Sequence, residues 1–143
     1  GPEMDIASLY KLGRDSVPSG DLRHEAIEAA AALEAPELND DQRKLLKEVD
    51  RRGPRSSLPA TNLRGMSRDV ALGAIESAYQ HAQRYNQRYI RVITGKGMRS
   101  AGEPVLKVAL VEWCTAMSVR YAPEVLQDGT CGSFIVHVPR RRS

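Results

Sequence analysis

"YIRVITGKGMRS", residues 89–100, changes character halfway along. Residues 89–94 alternate and are rich in β-branched and aromatic side chains, the pattern of a half-buried strand. Residues 95–100 hold Gly95, Lys96, Gly97, Arg99 and Ser100 and no acid. A strand that runs into a flexible cationic loop offers backbone N–H groups and positive charge to an anion. Two nucleotide loops are excluded by spacing. A Walker loop needs Ser or Thr where Gly97 stands, and a dinucleotide fingerprint needs a third glycine that "GKGMRS" lacks.

Working outward, "ATNLRG" (60–65) reads as a short strand ending at a glycine. Ser67 is then placed to cap a helix in which Val70, Ala71, Ala74, Ile75, Ala78, Tyr79 and Ala82 recur at helical spacing. Beyond the cationic loop, Pro104 suits the first turn of a second helix, with Val105, Leu106, Ala109, Leu110, Trp113 and Cys114 on its buried side. "VRYA" from Val119 and "SFIVHV" from Ser133 read as strands joined by the glycine-bearing "LQDGTCG". The order is β-α-β-α-β-β, an α/β open sheet with two helices. In such sheets the ligand lies beyond the carboxyl ends of adjacent strands. That brings Arg64 and Gly65 together with residues 94–97.

Ahead of this unit, "DLRHEAIEAAAALEAPE" reads as a helix begun at Asp21 and ended by Pro36. "NDDQRKLLKEV" reads as another, with Asn39 and Gln42 in capping-box register and Leu45, Leu46 and Val49 on one stripe. Both stripes are narrow, so the segment is expected to pack on something else. "DRRGPRSSLPA" (50–60) has linker composition, which divides the chain into a helical extension over 1–57 and a domain over 58–143. The formal charge of +3 conceals an asymmetry: residues 1–50 carry net −6 and residues 51–143 net +9. So basic a block is the footprint of a nucleic-acid or other polyanion surface. The acidic helices are instead candidates for a protein partner.

Cys114 and Cys131 are too few for a disulfide scaffold, and His24, His81 and His137 lack ligand spacing, so no structural metal is expected. No apolar run approaches a membrane span and the sequence shows no basic-then-apolar leader pattern, so an intracellular protein, in cytoplasm or an organelle matrix, is expected.

Five strings in order resemble the Smr (small MutS-related) domain: "TNLRG" at 61–65, "DVALGAI" at 69–75, "VITGKG" at 92–97, "GEPVLKVALVEW" at 102–113 and "DGTCGSFIVHV" at 128–138. The resemblance implies the fold already read from periodicity, which is also that of the C-terminal domain of a bacterial translation initiation factor. It further implies binding, nicking or cleavage of nucleic acid, often RNA. The family site joins a D-x-H or D-x-R pair to an H/T-G-x-G loop. Here Asn62 stands at the aspartate position and Arg64 at the His/Arg position, with Thr94, Gly95, Lys96 and Gly97 in the loop.

The chemistry of these residue types sets the expectations. Asn62 and Arg64 offer neither a general base near neutral pH nor a strong metal ligand, whereas Arg64 can hold a phosphate or stabilise charge developing on it. Arg64 and Asn62 are the candidate catalytic pair. Thr94, Gly95, Lys96, Gly97, Arg99, Ser100 and Lys107 are the candidate nucleic-acid contacts. No cofactor is implied; Mg2+ is compatible with the chemistry but not obligatory, since in RNA the neighbouring 2′-OH can attack. Two functions stay open: an Smr-type domain that binds RNA somewhat better than DNA, with endonuclease activity, or a non-catalytic RNA-binding adaptor of a ribonucleoprotein assembly.

Overall fold

A computed structural model describes residues 37–96 and 104–140. The helix expected over 21–36, the loop residues Gly97, Arg99 and Ser100, and the last two arginines of the C-terminal run lie outside the described residues. In chain order the elements are α1 (Asp40–Arg52), a single 3-10 turn (Arg55–Ser57), β1 (Ala60–Asn62), α2 (Arg68–Arg84), β2 (Tyr89–Ile93), α3 (Val105–Met117), β3 (Tyr121–Val125) and β4 (Cys131–His137). From β1 onward this is the expected β-α-β-α-β-β order. The four strands form one sheet in the order β1-β2-β4-β3, parallel between β1 and β2 and antiparallel elsewhere.

Local chemistry accounts for the helices. Ser67 accepts the Val70 N–H at the start of α2, and Asp69 and Arg84 complement the helix dipole at its two ends. Its buried stripe is Ala71, Leu72, Ile75, Tyr79 and Ala82. Val70, expected inside, is 58% exposed. At 3.6 residues per turn it lies about 150° from the middle of that stripe, while Leu72 falls on the stripe's flank. The first residue of α3, Val105, is likewise exposed. Residues 107–114 of α3 are all buried, Lys107 and Glu112 included, so this part of the helix runs through the middle of the main layer.

That layer packs α2 and α3 on one face of the sheet, with Leu63, Ile75, Leu110, Trp113 and Phe134 fully buried. Tyr79 meets the edge of Trp113 at a centroid distance of 5.0 Å. The opposite face carries α1. Asn39 and Gln42 close the expected capping box, and Leu45, Leu46 and Val49 bury against Tyr89, Ala122 and Ile135 of the sheet. What the narrow stripe packs on is therefore the chain's own sheet. Burying three such side chains contributes about 1.5–3 kcal/mol each. Arg120 adds ion pairs to Glu48 at 3.2 Å and Asp41 at 3.4 Å, and the Arg120 hydrogen bond holds the Glu48 carboxyl below its usual range.

Two strand starts differ from expectation. β3 begins at Tyr121 rather than Val119, because Val119 still donates its N–H to Cys114 O and finishes α3 behind a left-handed Ser118. β4 begins at Cys131, two residues before Ser133, because Cys131 pairs with Val125 of β3. Among the described residues no helix is long and apolar enough to cross a membrane.

Candidate nucleic-acid interface

Register brings the two expected strand ends side by side. Asn62 of β1 pairs with Ile93 of β2, so the residues that follow each strand leave the sheet at one edge. Leu63 is fully buried and donates its N–H to Ile93 O at 2.8 Å, which anchors the turn. Asn62 Oδ1 accepts the Arg64 N–H at 3.0 Å and Arg64 Nε at 3.3 Å. The first contact is the side-chain turn that asparagine favours. The second lays the guanidinium beside its own strand end. Gly65 closes the turn at φ +82°.

Gly95 has φ +81°, and a Cβ built on it would stand 3.2 Å from Arg64 Cγ and Cδ. The arginine stem thus crosses directly over the glycine, and a side chain at 95 would push it away. Positive φ and this close approach both require glycine here. Lys96 is next in the chain, so the two expected cations follow strands that leave the sheet at the same edge. Lys96 itself packs on Gly132 of β4, where a Cβ would meet Lys96 N at 3.4 Å and Lys96 Cγ at 3.5 Å.

The other expected contacts are placed differently. The Thr94 and Gly95 N–H groups both donate to Gly132 O at 2.9 Å, so they are engaged by β4 rather than offered to an anion. Thr94 is 5% exposed, and its hydroxyl donates to Gly95 O at 3.0 Å and toward Gly132 O at 3.4 Å. It braces the loop from inside. Lys107 is 2% exposed and donates to Lys96 O at 3.1 Å, so it sits beneath the loop instead of on the surface with Lys96. Gly97, Arg99 and Ser100 are outside the described residues.

One residue at this edge was not singled out by sequence. Asp128, in the β3–β4 turn, pairs through Oδ2 with Lys96 Nζ at 3.2 Å. Its Oδ1 accepts the Thr130 hydroxyl at 2.6 Å and the Thr130 N–H at 2.9 Å. These two Thr130 bonds, with help from Lys96, hold the Asp128 carboxyl down to about 2. It is a fixed anion across the working pH range and a weak base. Behind the Arg64 turn, Arg68 of α2 binds Glu112 of α3 at 2.9 Å, and burial pushes the Glu112 carboxyl up to about 7. No set of three or more His, Cys, Asp or Glu side chains able to hold a metal occurs among the described residues.

The Smr domain family model matches residues 61–138, a span that takes in all five strings, and the chain belongs to the Smr domain family. Among solved structures it is similar to YdaL, a stand-alone small MutS-related protein from Escherichia coli. The two share 17% identity and a TM-score of 0.49 over 78% of this chain and 73% of that one. No curated protein matches the chain. Smr domains generally bind nucleic acid, and nuclease activity occurs within the family.

Proposed function

We propose that this chain is an Smr-type domain that grips the nucleic-acid backbone at Arg64 and Lys96, preferring RNA weakly over DNA. The observation that carries the reading is the neutral partner of Arg64. Its guanidinium bonds to an amide oxygen of Asn62 and crosses Gly95 beside Lys96. An aspartate at 62 would neutralise that charge, whereas asparagine orients the arginine and leaves the charge for a phosphate. Arginine suits the task because its planar fork matches two phosphate oxygens. Backbone contacts of this kind fix register without reading bases.

The same substitution bears on cleavage. Asn62 cannot take a proton, an arginine does not give one up, and the carboxylate nearest Lys96, Asp128, is too acidic to serve as a base near neutral pH. Binding without cleavage, in a ribonucleoprotein adaptor, is the reading Asn62 favours. If RNA is cut, the neighbouring 2′-OH is the nucleophile and Arg64 stabilises the charge that develops on the phosphate. Incubating the full chain with labelled single- and double-stranded RNA and DNA, with and without EDTA, tests both parts. Salt-sensitive binding with intact RNA supports the adaptor. Cleavage that falls on the order of 10²–10³ in Arg64→Ala supports the nuclease. No binding to any of the four substrates contradicts the proposal.

A further inference from the structure

Lys107 lies near the start of α3 with its ammonium buried under the loop that follows β2. Its hydrogen bond goes to the Lys96 carbonyl, and it also contacts the Cys131 side chain. Burial pushes the Cys131 thiol up, so that sulfur stays protonated near neutral pH and supplies no counter-charge. Among the described residues no carboxylate lies within ion-pair distance of Lys107. Glu112, on the same helix, faces Arg68, and Asp128 faces Lys96.

A buried ammonium without a counter-ion is unfavourable in a folded protein. Lysine is long enough to carry its charge to water when nothing holds it. This one instead ends beneath the peptide of Lys96, on the side away from solvent. We infer that Lys107 is a positioning residue for the phosphate site, a positive charge held under the loop whose counter-charge is the phosphate bound above it. Two effects follow from the placement. The Lys96 carbonyl, drawn inward by Lys107, no longer turns its oxygen toward an approaching anion. The buried charge also adds to the field of Arg64 and Lys96 in a region where water screens it poorly. This rests on the reading of Arg64 and Lys96 as a phosphate site, but its consequence for the free protein does not.

The full chain is compared with Lys107→Met, which removes charge and hydrogen bond, and Lys107→Gln, which removes the charge and keeps a donor. Affinity for a short single-stranded RNA is measured for each, together with Tm with and without excess inorganic phosphate at constant ionic strength. Both variants are expected to lose on the order of tenfold in RNA affinity. Without phosphate their Tm equals or exceeds that of the parent, since a buried charge with no counter-ion among the described residues has gone. Phosphate raises the Tm of the parent more than that of either variant. A purely structural lysine would lower Tm and affinity together, and that result overturns the inference. So does wild-type affinity in Lys107→Gln, which would mean the hydrogen bond acts and the charge does not. If the parent binds no RNA, the nucleic-acid reading fails and the phosphate arm decides alone. A Tm shift confined to the parent then supports the buried charge, and equal shifts in all three proteins contradict it.

Discussion

The arginines on the α1 side of the sheet and the cations at the strand ends are chemically alike and differently partnered. On the α1 side, Arg55 binds Asp50 at 2.8 Å and Glu124 at 3.3 Å, Arg91 also binds Glu124, and Arg120 binds Glu48 and Asp41. Glu124 is nearly buried and takes a further bond from the Ser133 hydroxyl. At the strand ends, among the described residues, Arg64 has only the Asn62 amide oxygen, and Lys96 has one exposed carboxylate. The difference teaches how to read a basic block. Its net charge identifies the half of the chain that meets a polyanion, but the counter-charge each cation already has decides which residues do so. Part of the charge asymmetry cancels within the molecule. Asp41, Glu48 and Asp50 of the acidic half neutralise Arg120 and Arg55 of the basic half, at a distance from Arg64 and Lys96.

The comparison breaks most visibly if the α1 side binds RNA. Leu45→Ala removes a fully buried side chain between α1 and the sheet. It should cost about 2–5 kcal/mol in denaturant unfolding and leave the RNA affinity of the folded protein unchanged. Weaker binding at full folding would mean that α1 belongs to the site. Glu124→Gln should follow the same pattern more mildly. It weakens the hydrogen bonds from Arg91 and Arg55 and should cost about 1.5–3 kcal/mol, again without change in binding. Tighter binding in this variant would show that those arginines reach RNA once released.

Much of this fold was legible because its signals are local. The Asn39–Gln42 box, the Ser67 cap, Pro104 at the start of α3 and the alternation of residues 89–94 each lie within a few positions of the element they define. The missed features depend on partners far along the chain. Asp128 reads as a turn residue until β4 brings it to Lys96, 32 positions away. Lys107 reads as a nucleic-acid contact, since nothing nearby reports that residues 107–114 of α3 are buried, and nothing near Glu124 reports that Arg55 and Arg91 converge on it. Thr94 was singled out for a hydroxyl that in the structure donates to the carbonyls of Gly95 and, at longer range, Gly132. The convergence of Arg64 with the Gly95–Lys96 turn followed from strand order alone, because parallel neighbours end at the same edge.

The strand-end site gives smaller and more diagnostic effects. Asn62→Asp places a carboxylate where the amide oxygen now meets Arg64 Nε at 3.3 Å. The pair formed is exposed and worth about 0.2–1 kcal/mol, so RNA affinity should fall by up to several-fold while any cleavage rises. Tighter binding would contradict the role given to the neutral partner. Asp128→Asn should act in the opposite direction, since it removes the anion that a phosphate must displace from Lys96. A gain of a few-fold is expected, and a loss would make Asp128 a ligand contact instead. The smallest effect is with pH. The Asp128 carboxyl is depressed to about 2, so its contribution to the folded state is present above the ordinary aspartate range and is lost only as pH falls through about 2. RNA affinity followed from pH 3 upward should therefore show no step from this group, and a step near pH 4 would mean that Thr130 and Lys96 do not hold it.

The central claim is that Arg64 and Lys96 hold one stretch of phosphate backbone, and the salt dependence of RNA binding tests it most directly. Log affinity for a short single-stranded RNA is measured against log salt for the full chain, Arg64→Ala, Lys96→Ala and the double variant. Removing one phosphate-binding cation should make the slope shallower by about 0.7. Each single variant should bind every RNA sequence more weakly by a similar factor, and the slope of the double variant should change by about twice as much as that of either. Slopes that match the parent in all three variants, with affinity unchanged, would place the RNA elsewhere on the molecule.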